Sequence, residues 1–516
     1  MKFDGEYIFN YLLNNGFEYV KDKKDRRDKT FTCLISDMGQ FYSIEIYFHC
    51  TKKHTNKVVI YDSLKILNFS VEKIAKDFNL PIQKLTLDYD TYRPVGHELT
   101  EEEVNYIRND VEIMARALQF IFDENLLKMT IGSDALANYK EMNKNFNRYF
   151  PILPIEIDSD IRKSYRGGFT YLNDIYKEKE VGRGLVLDVN SLYPSVMNNE
   201  YLPFGDPIFF EGKYEQDPLY KLYVQTITCA FEVKEGMIPT IQIKNNPSFL
   251  PNEYIKSSDG DLITLTLSSI DLELFFEHYN VSFLTYHSGW KFKALKGLFT
   301  NYITTWTEKK INAKKENNKV LYTISKLMLN SLYGKFGLNP KVRSKIPYLE
   351  EGIVKYKITD IEYRDPIYLP IATFITSYAR RKTINTSQAI KDYTKEKYGI
   401  DNYIYSDTDS IHLLYMEHEE LKQFVDIDDY RLGAWKIESE FTRGKFLRQK
   451  CYIEEYNQEL NVTVAGLPKR LGKYINFDNF TKGMEILAEE QDKEHKLRFK
   501  HVKGGVLLVD TDFTIK

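Results

Sequence analysis

Apolar positions along this chain change their spacing several times, and each change marks an element. After Asp4, the residues Ile8, Phe9, Leu12 and Leu13 recur at helical spacing until Gly16, which predicts a short helix. Residues 31–35, 41–48 and 57–61 are short, β-prone apolar segments, which predicts strands. Thr100 and Glu103 form a capping box ahead of Val104, Ile107, Val111, Met114, Leu118 and Ile121. That three-four spacing predicts a long helix closing a first unit, residues 1–128.

Further along, Tyr165-Arg166-Gly167-Gly168 makes a glycine-rich break before strand patterning returns. Residues 204–296 read as strands and turns, an inserted lobe. Residues 298–337 are helical in pattern, with a charged linker inside. Residues 338–370 read as a hairpin-bearing insert punctuated by Pro340 and Pro347. A helix over 371–397, a hairpin about Asp407 and mixed structure to Lys516 follow. The pattern is α/β in the α+β sense. No repeat or low-complexity tract interrupts it. A length of 516 residues, at ~150 per domain, gives about three domains or one multi-lobed body.

Composition narrows the class. A hydrophobic share of 43% with 28% charged residues is a globular balance, which excludes disordered and fibrous proteins. The net charge of -3 excludes holding nucleic acid by bulk charge. Any such binding needs local basic surfaces, and residues 21–29, 309–319 and 469–473 are candidates. The four cysteines form no CxxC pair, so free thiols are expected rather than a zinc site or disulfides. No run of ~18 apolar residues predicts a membrane span. The N-terminal MKFDGEYIF lacks a signal peptide's apolar core, so a cytoplasmic site of action is expected.

The densest chemical signal is Tyr403-Ile404-Tyr405-Ser406-Asp407-Thr408-Asp409-Ser410-Ile411-His412-Leu413. It suits a hairpin with carboxylates at its tip. On extended backbone, Asp407 and Asp409 would leave on the same side. Like charges held that close favour a cation between them; a plain acidic turn is the alternative. A further acid, Asp188, closes the apolar run Gly184-Leu185-Val186-Leu187, which reads as a strand buried on both faces. Hard divalent ions take carboxylate oxygens, and paired ions serve phosphoryl transfer. On a third segment, Lys326, Asn330 and Tyr333 fall at i, i+4 and i+7 on one helix face. Leu321, Ile324, Met328 and Leu332 line another face. Cation, amide and ring in a row suit phosphate, hydrogen bonding and base stacking. Gly334 leaves room for a template base. Trp306-Thr307-Glu308-Lys309-Lys310 adds cations upstream.

DVNSLYPSV, KLMLNSLYGKFG and YSDTDS occur in that order and resemble motifs A, B and C of family B DNA polymerases. The chain is most similar to the protein-primed branch of small tailed phages, related viruses and linear plasmids. YRGGF at 165–169, Lys450-Cys451-Tyr452, Tyr61-Asp62-Ser63-Leu64-Lys65 and the final GGVLLVDTDFTIK extend the likeness over nearly the whole chain. The resemblance implies a right-hand polymerase: an antiparallel palm sheet (129–199 and 371–471), helical fingers (298–337) and a small thumb (472–516). Two inserted lobes are implied, at 200–297 against priming protein and DNA and at 338–370 for strand displacement. Residues 1–128 would be an RNase H-like 3′–5′ exonuclease domain, N-terminally shortened.

The resemblance also implies roles. Asp188 and Asp409, helped by the Val189 carbonyl, would hold two Mg²⁺ ions, with Mn²⁺ an alternative. Asp407 would be the supporting acid. Tyr193 would exclude a 2′-hydroxyl. Lys310 and Lys326 would grip the triphosphate, and Asn330 and Tyr333 shape the nascent pair. Tyr165, Gly167 and Gly168 would bear on the template strand, Lys450 and Tyr452 on the primer end, and Lys335 would bind DNA. The implied partners are primer-template DNA, deoxynucleoside triphosphates and a terminal protein, with the polymerase itself a monomer in the host cytoplasm.

The first unit departs from the pattern. Lys2-Phe3-Asp4-Gly5 resembles the second exonuclease motif, Tyr106 and Asp110 the third, and Lys84 a catalytic lysine. The first motif, a DxE pair, has no counterpart; Glu45 is a lone acid on a strand. Impaired proofreading is therefore expected, through a shortened chain or a lost activity. A missing strand would expose a sheet edge, which favours shortening. Two rival readings stand beside the polymerase. An RNA-templated or RNA-making enzyme also carries paired acids in a hairpin, but the SLYP and NSLYG contexts argue against it. A catalytically dead DNA-binding scaffold is opposed by three intact acids.

Overall fold

The computed structural model describes residues 3–51, 54–88, 91–94, 96–243, 253–491 and 497–516, so Lys2 lies outside the described residues. Helix α1 (Asp4–Asn14) leads into a sheet of β1 (Glu18–Tyr19), β2 (Thr30–Ile35), β3 (Phe41–Cys50) and β4 (Thr55–Tyr61), in that order. Edge strand β4 leaves Val58 and Tyr61 exposed. Glu45 is an ordinary strand acid, taking a bond from the Tyr47 hydroxyl and one from Lys57. Phe9 and Leu12 of α1 pack on Phe31, Ile35, Phe41 and Ile44, and distant Val354 completes the cluster. Helices α2 (Val71–Asp77) and α3 (Glu101–Asp123) instead join the large central core. The capping box on α3 forms. Its buried face is Tyr106, Ile113, Ala117 and Ile121, while Ile107 and Val111 are exposed. Two apolar stripes adjoin on this helix, and packing against α2 selects the one with the small Ala117 rather than the bulkier expected one.

Helices α4 (Ile131–Met142), α5 (Phe146–Tyr149) and α6 (Ile155–Arg162) precede β5 (Thr170–Leu172), β6 (Glu180–Val181), β7 (Gly184–Val189) and α7 (Leu192–Asn199). The inserted lobe is β8 (Leu202–Glu211), β9 (Leu222–Val233), β10 (Ile263–Ser268) and β11 (Tyr279–Leu295), antiparallel in the order β10-β9-β11-β8. It also holds an unanticipated helix, α8 (Ser269–His278), capped by the Ser268 side chain. Ile270, Leu272, Leu274 and Phe275 are all buried there, so no one-sided stripe betrays the helix.

Helices α9 (Thr300–Lys315) and α10 (Lys319–Phe336) pack together, joined by Glu316-Asn317-Asn318, with the charges of the expected linker, Lys314, Lys315 and Lys319, inside the helices. The insert carries β12 (Lys341–Val342), the hairpin β13 (Lys345–Glu350) with β14 (Ile353–Ile358), and β15 (Glu362–Tyr363). Pro347 lies within β13 opposite Tyr356 rather than between elements. A two-stranded hairpin has only edge strands, which tolerate proline. Helix α11 (Leu369–Tyr398) runs through the core and ends at Gly399, whose φ of 71° suits glycine.

Strands β16 (Tyr403–Asp407) and β17 (Ser410–Leu414), helix α12 (His418–Leu421) and β18 (Trp435–Phe441) complete a five-stranded antiparallel sheet, β18-β7-β17-β16-β5. Strand β7 is covered on both faces, which explains its unbroken apolar run. Leu185, Leu187 and Val189 face the central core, and Val186 faces Tyr405, Phe441 and Phe446. Strands β19 (Arg443–Arg448), β20 (Cys451–Tyr456) and β21 (Glu459–Val464) pair in the order β21-β20-β19-β6. Their residues Leu447, Cys451, Ile453 and Val464 share one cluster with Leu471, Phe480 and Ile515, so packing runs across the expected boundary at 471/472. The chain closes with β22 (Glu485–Ile486), β23 (Leu497–Val502), β24 (Gly505–Asp510) and β25 (Phe513–Thr514). The β23–β24 hairpin meets α1: the Tyr7 hydroxyl donates to the Val506 carbonyl at 3.1 Å, and Phe3 packs on Phe499. Among the described residues, no helix is long and apolar enough to cross a membrane.

Candidate active site

Strand pairing brings the acids together. Asp188 on β7 sits opposite Ser410 of β17 on one side and Lys436 of β18 on the other. The Val189 N–H donates to the Asp409 carbonyl at 2.8 Å. The acidic tip is not extended, contrary to the same-side expectation. Thr408 has a φ of 63°, and the Asp409 N–H turns back to the Asp407 carbonyl at 2.8 Å. This unusual conformation is held from three sides. The Thr408 N–H donates to the Phe169 carbonyl at 2.7 Å, and the Thr383 hydroxyl donates to the Thr408 carbonyl at 2.9 Å. Gly168 packs so closely that a Cβ there would lie 2.5 Å from the Thr408 Oγ1.

The turn separates the acids electrostatically. Burial and then the charge of Asp409 push the Asp188 carboxyl up to about 6, opposed by Lys436. Burial raises Asp409 as well, with Asp407 and Glu438 adding repulsion. Asp407 instead accepts from the Lys450 ammonium at 2.9 and 3.0 Å, from Thr170 at 3.2 Å and from Tyr405 at 3.3 Å. Asp188 and Asp409 are thus a half-buried pair that repel one another, which suits a bound cation. Among the described residues, no group of three or more His, Cys, Asp or Glu could hold a metal ion unaided. Two carboxylates are donors that suit a hard ion, whose other ligands would be water and substrate phosphates.

An aromatic wall stands beside the acids. Ser191, at a φ of 52°, turns the chain sharply from β7 into α7 and delivers Tyr193. The Tyr193 and Tyr333 rings lie 4.5 Å apart, and the Tyr333 and Tyr165 hydroxyls are hydrogen-bonded at 2.7 Å. Burial pushes the Tyr193 phenol up to about 12. The Lys310 ammonium donates to the Ser191 hydroxyl at 3.3 Å; burial, then Lys326, Lys314 and Lys436, lower its pKa. Lys326 and Asn330 are exposed on α10, and the space around Gly334 is open. Lys335 is less available, because its ammonium donates to the Ser133 hydroxyl at 2.8 Å. Gly167 is open in the way Gly168 is not. Lys450 meets Asp407, whereas the Tyr452 ring stacks on Phe446 at 5.2 Å.

In the first unit, Lys84 donates to the Tyr106 hydroxyl at 2.8 Å and to Asp110 at 2.6 Å, so these three expected residues meet. Asp4 opens α1 at an exposed position on another element.

Lys436, Arg380 and Thr383 escaped sequence reasoning. Lys436 approaches Asp188 at 3.2 Å and Glu438 at 3.6 Å. Alternation in Trp435-Lys436-Ile437-Glu438 was the available signal. Buried Arg380 donates to the Arg166 and Gly167 carbonyls at 2.9 and 2.6 Å and is paired with Asp271, so it anchors the glycine loop. Thr383 has no local sequence signal at all.

An antiparallel sheet presenting paired acids beside a cation-bearing helix face and a tyrosine wall defines a nucleotide polymerase, and residues 1–426 match the family model of type B DNA polymerases, organellar and viral. The chain belongs to that family and is a DNA-directed DNA polymerase. It is 46% identical to the DNA polymerase of Bacillus phage Nf, over 100% of this chain and 90% of the phage protein. Identity to the DNA polymerase of Bacillus phage phi29 is 44%, over 100% of this chain and 89% of that protein. Its fold matches the phi29 enzyme solved with primer-template DNA and incoming nucleotide, with a TM-score of 0.91, 44% identity and coverage of 100% of this chain and 90% of that one.

Proposed function

We propose that this polymerase extends a primer 3′-hydroxyl at a two-ion site held by Asp188, Asp409 and the Val189 carbonyl. The carrying observation is the strand register that sets half-buried Asp188 opposite Ser410 and ties Val189 to the Asp409 carbonyl, beside the Tyr193–Tyr333 rings. Mg²⁺ suits these donors, with Mn²⁺ an alternative; such ions, when bound, activate the attacking hydroxyl and neutralise the leaving phosphates. Lys450 balances Asp407, leaving it a supporting acid. Lys310 and Lys326 take the triphosphate and stabilise its developing charge. Tyr193 forms the sugar side of the site and excludes a 2′-hydroxyl, and Asn330 and Tyr333 shape the nascent pair. Tyr165, Gly167 and Gly168 bear on the template, with Lys335 behind them, and Lys450 and Tyr452 serve the primer end. In this reading residues 129–199 and 371–471 are palm, 298–337 fingers and 472–516 thumb. The lobe at 200–297 faces the priming protein and DNA, and that at 338–370 aids strand displacement.

The same reading makes synthesis protein-primed, on a linear viral or plasmid genome in the host cytoplasm, with a monomeric enzyme. The supporting residues are the YRGGF segment and Lys450-Cys451-Tyr452. Proofreading by the first unit is impaired in this reading, since no counterpart of the first motif's DxE pair accompanies Lys84, Tyr106 and Asp110.

The test is primer extension with Mg²⁺, with and without a candidate terminal protein, beside an assay for degradation of single-stranded DNA. Asp409→Asn abolishes extension while DNA binding persists; continued synthesis sinks the metal assignment. Extension that never starts on a terminal protein removes protein priming, and robust metal-dependent degradation removes the impaired exonuclease.

A further inference from the structure

The pairing of β18 with β7 places a lysine directly across from the first acid. Lys436 and Asp188 are register partners, with Nζ 3.2 Å from the Asp188 Oδ1. The ammonium is mostly covered, with 30% of its side chain exposed, so it is held in the site rather than free in solvent. A second carboxylate, Glu438, lies 3.6 Å away on the same strand. Lys310, itself bonded to Ser191 at the head of α7, is close enough to feel the charge of Lys436.

We propose that Lys436 is a displaceable cation of the polymerase site, holding Asp188 while no metal is bound and competing with the divalent ion for that carboxylate. This rests on the assignment of Asp188 as a metal ligand. A hard ion sits about 2.0–2.1 Å from its carboxylate oxygen, so ion and ammonium on one carboxyl group repel at short range. One must leave. Lys436 has two other anions to move to: Glu438, and the triphosphate that Lys310 attracts. Nucleotide therefore draws the ammonium off Asp188 and favours metal binding, and the metal favours nucleotide by the same factor. The unloaded site keeps its acids oriented and partly neutralised, and it takes up metal with substrate rather than ahead of it.

The experiment is Mn²⁺ binding to the full chain without DNA or nucleotide, read from the electron paramagnetic resonance of free Mn²⁺. Lys436→Met binds Mn²⁺ about five- to tenfold more tightly than the parent. Lys436→Arg, which keeps the charge, stays near the parent. Near-ultraviolet circular dichroism confirms that each variant is folded. In an Asp188→Asn background the gain from Lys436→Met disappears. Unchanged or weaker binding in folded Lys436→Met, with Asp188→Asn still lowering affinity, overturns the role of Lys436 alone. Binding indifferent to Asp188→Asn overturns the metal assignment beneath it.

Discussion

Thr408 concentrates the constraints on the acidic turn. It adopts a backbone conformation that non-glycine residues avoid, and Phe169, Thr383 and Gly168 hold it there. A methyl at Gly168 must push Thr408, and Asp407 and Asp409 with it. Gly168→Ala is therefore expected to lower kcat for nucleotide incorporation by about 100-fold, the scale of a 1 Å misplacement. Gly167→Ala, with open space around it, leaves the turn in place. Single-turnover kinetics on both variants checks the contrast. The three acids also separate. Lys450 already balances Asp407, so Asp407→Asn should cost far less rate than Asp409→Asn under identical metal. The acids themselves were legible in Asp407-Thr408-Asp409. Their division of labour was implied only by the family resemblance, and its physical cause was hidden, because it depends on one positive φ and on Lys450 arriving from another hairpin. Lys436 was hidden for a related reason: strand pairing, not sequence proximity, brings it to Asp188.

Elements were easiest to read where one chemical pattern had one cause. The capped helix α3, the doubly covered strand β7 and the hairpin at Asp407 all formed where apolar spacing put them. Helix α8 did not show itself, because its apolar residues Ile270, Leu272, Leu274 and Phe275 are buried on more than one side, which blurs the period. The buried side of α3 shifted, because the chain offers two stripes and only packing chooses between them. Helix α4 carries a testable strain of its own. Asp134 lies in its first turn with its Oδ1 accepting from the Lys128 N–H at 2.9 Å, and burial pushes its carboxyl up to about 6. An acid whose folded pKa exceeds its unfolded value of about 3.9 binds its proton more tightly when folded. Its contribution to stability is thus greatest below the unfolded value and is lost as pH rises through about 6. Asp134→Asn should raise the melting temperature at pH 7.5, and the gain should shrink toward zero by about pH 4. Thermal melts at both pH values decide it.

Across the whole molecule, packing ignores the order of the chain. Helix α1 and its sheet share a core with Val354 of the β13–β14 hairpin, and α1 also holds the β23–β24 hairpin through Tyr7 and Phe3. Deleting residues 345–358 should strip amide-exchange protection from β2 and β3 while the five-stranded sheet keeps its own. Equal loss in both sheets would show one cooperative body instead. The overall charge of -3 fits this picture of local rather than global recognition, with cations gathered where Lys310, Lys314, Lys326 and Lys436 converge. The first 128 residues are contiguous in sequence but divided in space: the sheet belongs with a hairpin more than 200 residues away, and α2 and α3 belong with the central core. Such a segment is not a portable module. Recombination between related genes that swapped it without the matching hairpin would inherit a mismatched core, so the two stretches are bound to be exchanged, and to drift, together.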